Sequence, residues 1–322
     1  MKTGIPYVTP RSLFAAFLAA SALFTQQLSA QSVVTDPVGF ISVTAKAGSA
    51  ANPTLTLVSP TLLNPVAWQG TTDASGGVTA NTFKVTGAGW TANQYNTSYF
   101  VEIYSGSNAG VWSTITATTS TTITTQTDLS SFATAGATIR IRKYTTLSDF
   151  LGASNSAGLL TGTEPALADE VLVYNGATPT LYWYYDASDN SGLPAGWKDI
   201  SYNDASAIPI GPNQGFVIKR KTSGDRTFTV NGTVKTGNTF VPMGQNLNVV
   251  GTVSASGLTL AASGLYTGNA TTGVKAGTEP ALADEVYFTP AQLLFSTGTM
   301  TQAITQGFPL DGKILATMTL DL

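Results

Sequence analysis

Residues Ser113–Thr127 read STITATTSTTITTQT. The segment carries no charge, and Thr and Ile dominate it. β-branched side chains suit the pleated strand, and the alternation around Ile115 and Ile123 has a period of two. It reads as two strands joined by a tight turn. An O-glycosylated or self-associating segment has the same composition, so both readings stand at this point. Outward from it the same signature recurs. Val38–Thr44, Thr82–Thr86, Tyr99–Tyr104, Val111–Thr116, Thr121–Thr125, Ile139–Arg142, Leu181–Tyr185, Phe216–Lys221 and Phe228–Val234 are short β-branched or aromatic runs between Gly, Asn, Asp, Pro and Ser. Asn231-Gly232, between Thr- and Val-rich arms, predicts a hairpin turn. Thr145–Leu151 predicts one or two helical turns. Short strands at this spacing predict an all-β chain of two or three small sandwich- or barrel-like units.

The decapeptide GTEPALADEV occurs twice, at Gly162–Val171 and Gly277–Val286, an offset of 115 residues. Identity of that length implies an internal duplication. Gln-Gly-Phe also recurs, at Gln214–Phe216 and Gln306–Phe308, an offset of 92, so the second copy is shorter between these landmarks. The division that follows is a leader over 1–30, an N-terminal β unit over 31–146, a central unit over 147–243 holding the first copy, and an abbreviated unit over 244–322 holding the second.

Residues 1–30 have the form of a secretory signal. Lys2 and Arg11 form a basic start, Leu13–Phe24 is apolar, and small Ala30 closes the segment before the first acid, Asp36. The apolar core is shorter than the roughly 20 residues that span a bilayer. No later segment reaches transmembrane-helix length, so export to the cell envelope or medium is expected. The chain that begins near Gln31 keeps 13 cationic and 18 anionic residues, a net charge of −5.

Composition closes several chemistries. The 322 residues include no Cys and no His, and only 10% are charged. That excludes disulfides, Cys/His zinc sites, thiolate nucleophiles and any Ser-His-Asp triad. The acidic balance argues against a nucleic-acid partner. The cationic clusters, Arg140–Lys143 and Lys219–Lys221, read as solvated strand faces.

Carboxylates remain. Four of the five Glu residues lie in the decapeptides, which hold Glu164, Asp169, Glu170 and Glu279, Asp284, Glu285. Such clusters can bind Ca²⁺ or serve as the acid and base of a glycosidase. They also fit a structural corner, with Thr163 as N-cap, Glu164-Pro165 in a first helical turn and Glu170-Val171 entering a strand; that reading is favoured. Asp186, Asp189 and Asn190 are weak Ca²⁺ candidates. Their loop has Ser191 and Trp197 where an EF-hand loop needs Gly and Glu, so a polar hairpin loop fits better. No cofactor is expected. The aromatic concentration Tyr182, Trp183, Tyr184 and Tyr185, with Trp197, would place alternate rings on opposite sheet faces. One face fills a core, and the other either joins a cross-strand ladder or forms an exposed platform for sugars or proteins.

The chain resembles a family of secreted, β-rich verrucomicrobial proteins with no activity assigned to it. The resemblance rests on Thr35–Phe40, Gly89–Gln94, Tyr99-Phe100-Val101, Ser105-Gly106 through Gly110, Thr114-Ile115-Thr116, Ile139–Arg142 with Thr146-Leu147, Tyr182–Tyr185 with Trp197, and Gly215–Ile218. It covers nearly the whole chain past the leader. The departure is at the end, where Gln292–Leu322 keeps only Gln306-Gly307-Phe308 before Pro309, so the third unit is expected to be divergent, truncated or frame-shifted. The expected function is that of a non-enzymatic structural, adhesive or interaction protein of the envelope or matrix, with glycans or proteins as partners. The alternatives are a carbohydrate-binding protein or carboxylate glycosidase and, more remotely, an outer-membrane barrel.

Overall fold

The Thr-rich segment does form a hairpin. In the computed structural model, Thr119 accepts hydrogen bonds through its hydroxyl from the amides of Thr121 and Thr122 and closes the turn. A bulge between Ile115 and Ala117 shifts the alternation, so the buried positions run Ser113, Ile115 and then Thr118. The structure describes residues 36–175, 178–241, 248–251, 263–271, 273–279, 282–288 and 313–317.

Strands dominate the described residues. They are Val38–Ala45 (β1), Thr54–Val58 (β2), Val66–Thr71 (β3), Val78–Thr79 (β4), Thr82–Lys84 (β5), Tyr99–Ile103 (β6), Trp112–Thr118 (β7), Thr122–Thr125 (β8), Thr138–Lys143 (β9) and Thr145–Thr146 (β10). Then follow Glu170–Asn175 (β11), Thr178–Tyr185 (β12), Gly196–Asp199 (β13), Pro209–Ile210 (β14), Phe216–Arg220 (β15), Arg226–Thr233 (β16), Asn248–Gly251 (β17), Glu285–Phe288 (β18) and Lys313–Thr317 (β19). One short helix, Leu147–Leu151 (α1), begins at a capping box in which Thr146 and Asp149 exchange side-chain-to-backbone bonds.

The chain is all-β. A seven-stranded sheet has the order β3-β9-β6-β7-β8-β5-β4, and a five-stranded sheet the order β13-β12-β11-β15-β2. β1 and β16 make a two-stranded ribbon, and every pairing in these three sheets is antiparallel. Two main cores result. One lies against the seven-stranded sheet and contains Phe83, Trp90, Val101, Ile115, Ile123 and Ile139. The other gathers Val43 and Val230 of the ribbon, Phe150 of α1, and Val171, Trp197 and Phe216 of the five-stranded sheet.

Two expectations need correction. Asn231-Gly232 is not a hairpin turn. It lies inside β16, opposite Phe40 and Gly39, because the whole run from Arg226 to Thr233 pairs with β1 instead of folding on itself. Glycine is needed there for space: a Cβ on Gly232 would stand 2.8 Å from Leu62 Cβ and 2.9 Å from the Leu63 carbonyl oxygen. The boundary expected after residue 146 is also crossed by strand pairing. β1 and β2 hydrogen-bond to β16 and β15, so the first strands complete sheets otherwise built from residues 170–233.

The two decapeptides make the same local bonds. In the first, the Asp169 amide donates to the Leu160 carbonyl at 3.0 Å and its carboxylate accepts from the Leu160 amide at 2.8 Å. In the second, Asp284 does the same with Lys275 at 3.0 and 2.8 Å. The surroundings differ. β11 lies between two antiparallel neighbours, whereas β18 pairs in parallel with β19, which also pairs in parallel with β17. Gln306–Phe308 and the rest of residues 289–312 lie outside the described residues.

Candidate functional site

The acidic corner and the second cationic cluster meet. β11 and β15 are neighbours, with Glu170 opposite Lys219. Alternation along β15 sends Lys219 to one face of the sheet and Arg220 to the other. Arg220 Nε lies 2.7 Å from Asp169 Oδ2, and both side chains are fully buried. This contact is an ion pair whose N–H is not aimed along a hydrogen bond. The guanidinium also donates to the Ala45 carbonyl at 3.2 Å and to Thr222 Oγ1 at 2.6 Å. The other Asp169 oxygen accepts the Lys221 amide at 2.7 Å. Glu170 pairs with Lys219 at 3.0 Å and with Lys221. Lys221 Nζ donates to the Pro165 carbonyl at 2.7 Å, which ties the 3-10 turn Pro165–Leu167 to the sheet.

In the first copy these contacts make an ion-paired corner. The cap position of the turn is Glu164, not Thr163, and it makes no side-chain capping bond. Glu164 is exposed and stands apart from Asp169 and Glu170 in environment. Lys219–Lys221 is not a solvated face, since Arg220 has no exposure and Lys221 little. Two carboxylates committed to internal cations do not face a sugar as acid and base. In the second copy, Glu279 and Asp284 are exposed; the Glu285 side chain lies outside the described residues.

A second ionic cluster was not anticipated. Asp36 pairs with Arg140 at 3.1 Å and with Arg142, while Glu102 pairs with Lys235; each of these five side chains is at most 5% exposed. Arg140 also donates to Gln69 at 2.6 Å, and its guanidinium lies 3.4 Å from the centre of the Tyr104 ring. Arg142 donates to the Asn64 carbonyl at 2.7 Å and to Thr233 at 3.1 Å. Burial pushes the Lys235 ammonium below the usual lysine range, against the opposing pull of Glu102. The Arg140–Lys143 run is therefore not a solvated face either. Ile139 and Ile141 face the hydrophobic core, and Arg140 and Arg142 face the ionic cluster. The available signal was Glu102 alone in the apolar run Tyr99–Ile103, opposite Arg140 in a strand with alternating arginines.

The aromatic platform is corrected to an internal ladder. Tyr182, Trp183, Tyr185 and Trp197 are all buried, at 6, 0, 0 and 0% exposure, and Tyr184 is half-buried. Tyr184 meets Trp197 edge-on at 5.4 Å, and Trp197 Nε1 donates to the Gly152 carbonyl at 2.8 Å. On the other face Tyr202 covers both Trp183, at 5.3 Å, and Tyr185, at 5.9 Å. Tyr202 reaches this position with φ of 61°, in the left-handed region, and its hydroxyl donates to the Thr163 carbonyl at 3.0 Å. Tyr202 thus packs on both Trp183 and Tyr185 from a left-handed backbone conformation.

The weak Ca²⁺ candidates form a hairpin loop. Asp186 accepts from the Ser188 amide at 3.0 Å and from Thr161 at 3.3 Å. Asp189 accepts from the Ser191 amide at 3.1 Å and from the Tyr185 hydroxyl. These bonds hold both carboxylates below the usual aspartate range, and the Asp189 contact raises the Tyr185 phenol. Asn190 takes a left-handed turn conformation, φ 56°. Among the described residues, no group of three or more carboxylates converges on a metal position, and no helix is long and apolar enough to cross a membrane.

Compared with known proteins, the chain matches no family model, no curated protein and no solved structure.

Proposed function

We propose that the protein is an exported, non-enzymatic structural or interaction module of the cell envelope or extracellular matrix. The observation that carries this reading is the use of its scarce charge. Asp169, Glu170, Asp36 and Glu102 are each tied to buried or nearly buried cations, where they hold strands together. The outward side of the ribbon is neutral, with Ser42, Thr227, Thr229 and Asn231 exposed. The leader-like start and the resemblance to secreted verrucomicrobial proteins support export. The carbohydrate-binding and glycosidase readings lose their aromatic platform and their paired acids. An outer-membrane barrel needs strands of about 9–11 residues, and the longest described strands have eight.

Fractionation of the native cells tests the proposal. The protein is expected in the envelope or matrix fraction, with a shortened N-terminus near Gln31. Recovery from the cytoplasm with Met1 intact would overturn it.

A further inference from the structure

The segment Asp36–Val58, the first of the described residues, is an arm whose bonding partners lie far along the chain. Pro37 accepts from the Val234 amide at 2.7 Å, β1 pairs with β16 over eight residues, and β2 pairs with β15 over five. Its side chains complete the core of that region: Val43, Ala45 and Val58 pack with Phe216, Ile218, Phe228 and Val230. Asp36 inserts between Arg140 and Arg142. Without the arm, the ribbon is a single strand and those arginines keep no carboxylate partner among the described contacts.

Three further facts concern how the arm arrives there. It precedes its partners by a long stretch of chain: Thr44 and Thr227, whose hydroxyls meet at 2.9 Å, are 183 residues apart. Pairing at such separation is slow, because closing a long loop costs entropy before contacts repay it. The connection from the arm to β3 carries two buried hydroxyls without a hydrogen-bond partner, Ser59 Oγ and Thr61 Oγ1, and an unsatisfied buried hydroxyl is costly. Unfavourable short connections favour exchange of the element they tether. Finally, Val38 and Phe40, at the start of β1, are 79% and 72% exposed.

We propose that this arm is exchanged between copies, so that Asp36–Val58 of one chain pairs with β16 and β15 of another. The occupant of the acceptor groove is a second copy of this chain, presenting the same residues in the same register. Leu63 bridges Thr233 through two backbone hydrogen bonds, at 3.0 and 2.7 Å, so residues 59–62, at most about 14 Å when extended, set the reach between neighbours. If each arm enters the next molecule instead of a reciprocal partner, the assembly is open-ended. The inference rests on the structural reading proposed above and names the partner that reading lacks.

The absence of cysteine makes the test direct. Ser42 and Thr229 face each other across β1 and β16, and both are exposed. In the chain starting at Gln31, Ser42→Cys and Thr229→Cys are made separately and together. At low concentration the double variant should close an intramolecular disulfide, which verifies the pairing, and at high concentration exchange predicts the same bond between chains. The two single variants are refolded together at increasing concentration and oxidised. Exchange predicts a reducible heterodimer linking Cys at 42 to Cys at 229, identified by peptide mass, whose share rises with concentration. Closure of the double variant together with only monomers and homodimers from the mixture would overturn the proposal. That outcome leaves localisation untouched, so it is separable from failure of the envelope reading.

Discussion

Arg220 Nε stands 2.7 Å from Asp169 Oδ2 with neither side chain exposed. The same decapeptide places Asp284 at the surface, bonded to the Lys275 amide at 2.8 Å. Removing one member of a buried ion pair leaves the other charged and desolvated, at about 3–5 kcal/mol. Losing an exposed carboxylate costs roughly 1 kcal/mol or less. Asp169→Ala should therefore lower the urea midpoint several times more than Asp284→Ala, although the ten residues around each are identical. Equal shifts would refute the assignment of Asp169 to a buried lock.

The burial of the aromatic ladder makes a second expectation. Trp183→Ala and Trp197→Ala each empty a fully buried site and should cost about 3–5 kcal/mol. Trp197→Ala also strips the Gly152 carbonyl of its donor. Soluble oligosaccharides should leave the fluorescence of the unmodified chain unchanged. A saturable, sugar-dependent change abolished by Trp183→Phe would restore the platform.

These outcomes show what could be read from residues alone. Strand class was legible because Thr, Ile and Val recur at period two, and all nine predicted runs contain or overlap an observed strand. One or two helical turns were legible in Thr145–Leu151, while the capping box of Thr146 and Asp149 came from the structure. Partners more distant in sequence were not. Nothing within Lys219–Lys221 signals that Arg220 points inward to Asp169, because strand alternation gives two faces without saying which is covered. The Asn-Gly pair misled for the same reason: turn propensity is local, while the pairing of Gly232 with Gly39 is set by a strand nearly two hundred residues earlier. Tyr202, in a loop of otherwise ordinary composition, packs edge-on against Trp183 at 5.3 Å, a contact that no local signal announces.

Tyr144 supplies an alkaline expectation. Burial pushes its phenol up to about 12 from an ordinary value of 10, and its hydroxyl bonds Thr114 at 2.8 Å. Between these values the folded chain keeps a proton that the unfolded chain has lost. The stabilisation is complete below pH 10 and is lost as pH rises toward 12, by roughly 2–3 kcal/mol. Tyr144→Phe cannot titrate, so its stability should fall less steeply over that window than that of the unmodified chain. Parallel slopes in denaturation measured at intervals from pH 9 to 12 would count against a buried Tyr144.

Gly232 tests the register that displaced the expected hairpin. If Asn231-Gly232 were a turn, Ala at 232 would be disfavoured by its dihedral angles and Asn231 would matter equally. In the ribbon, Gly232 has ordinary strand angles and is excluded from bearing a side chain only by Leu62 Cβ at 2.8 Å and the Leu63 carbonyl oxygen at 2.9 Å. Gly232→Ala should then cost about 1–3 kcal/mol through overpacking. Asn231→Thr, on the exposed side of β16, should be nearly neutral. Leu62→Gly removes the Cβ that stands at 2.8 Å, so Gly232→Ala should cost less in that background than in the unmodified chain. Additive effects in this double-mutant cycle would separate Gly232 from Leu62 and return the Asn-Gly pair to a turn.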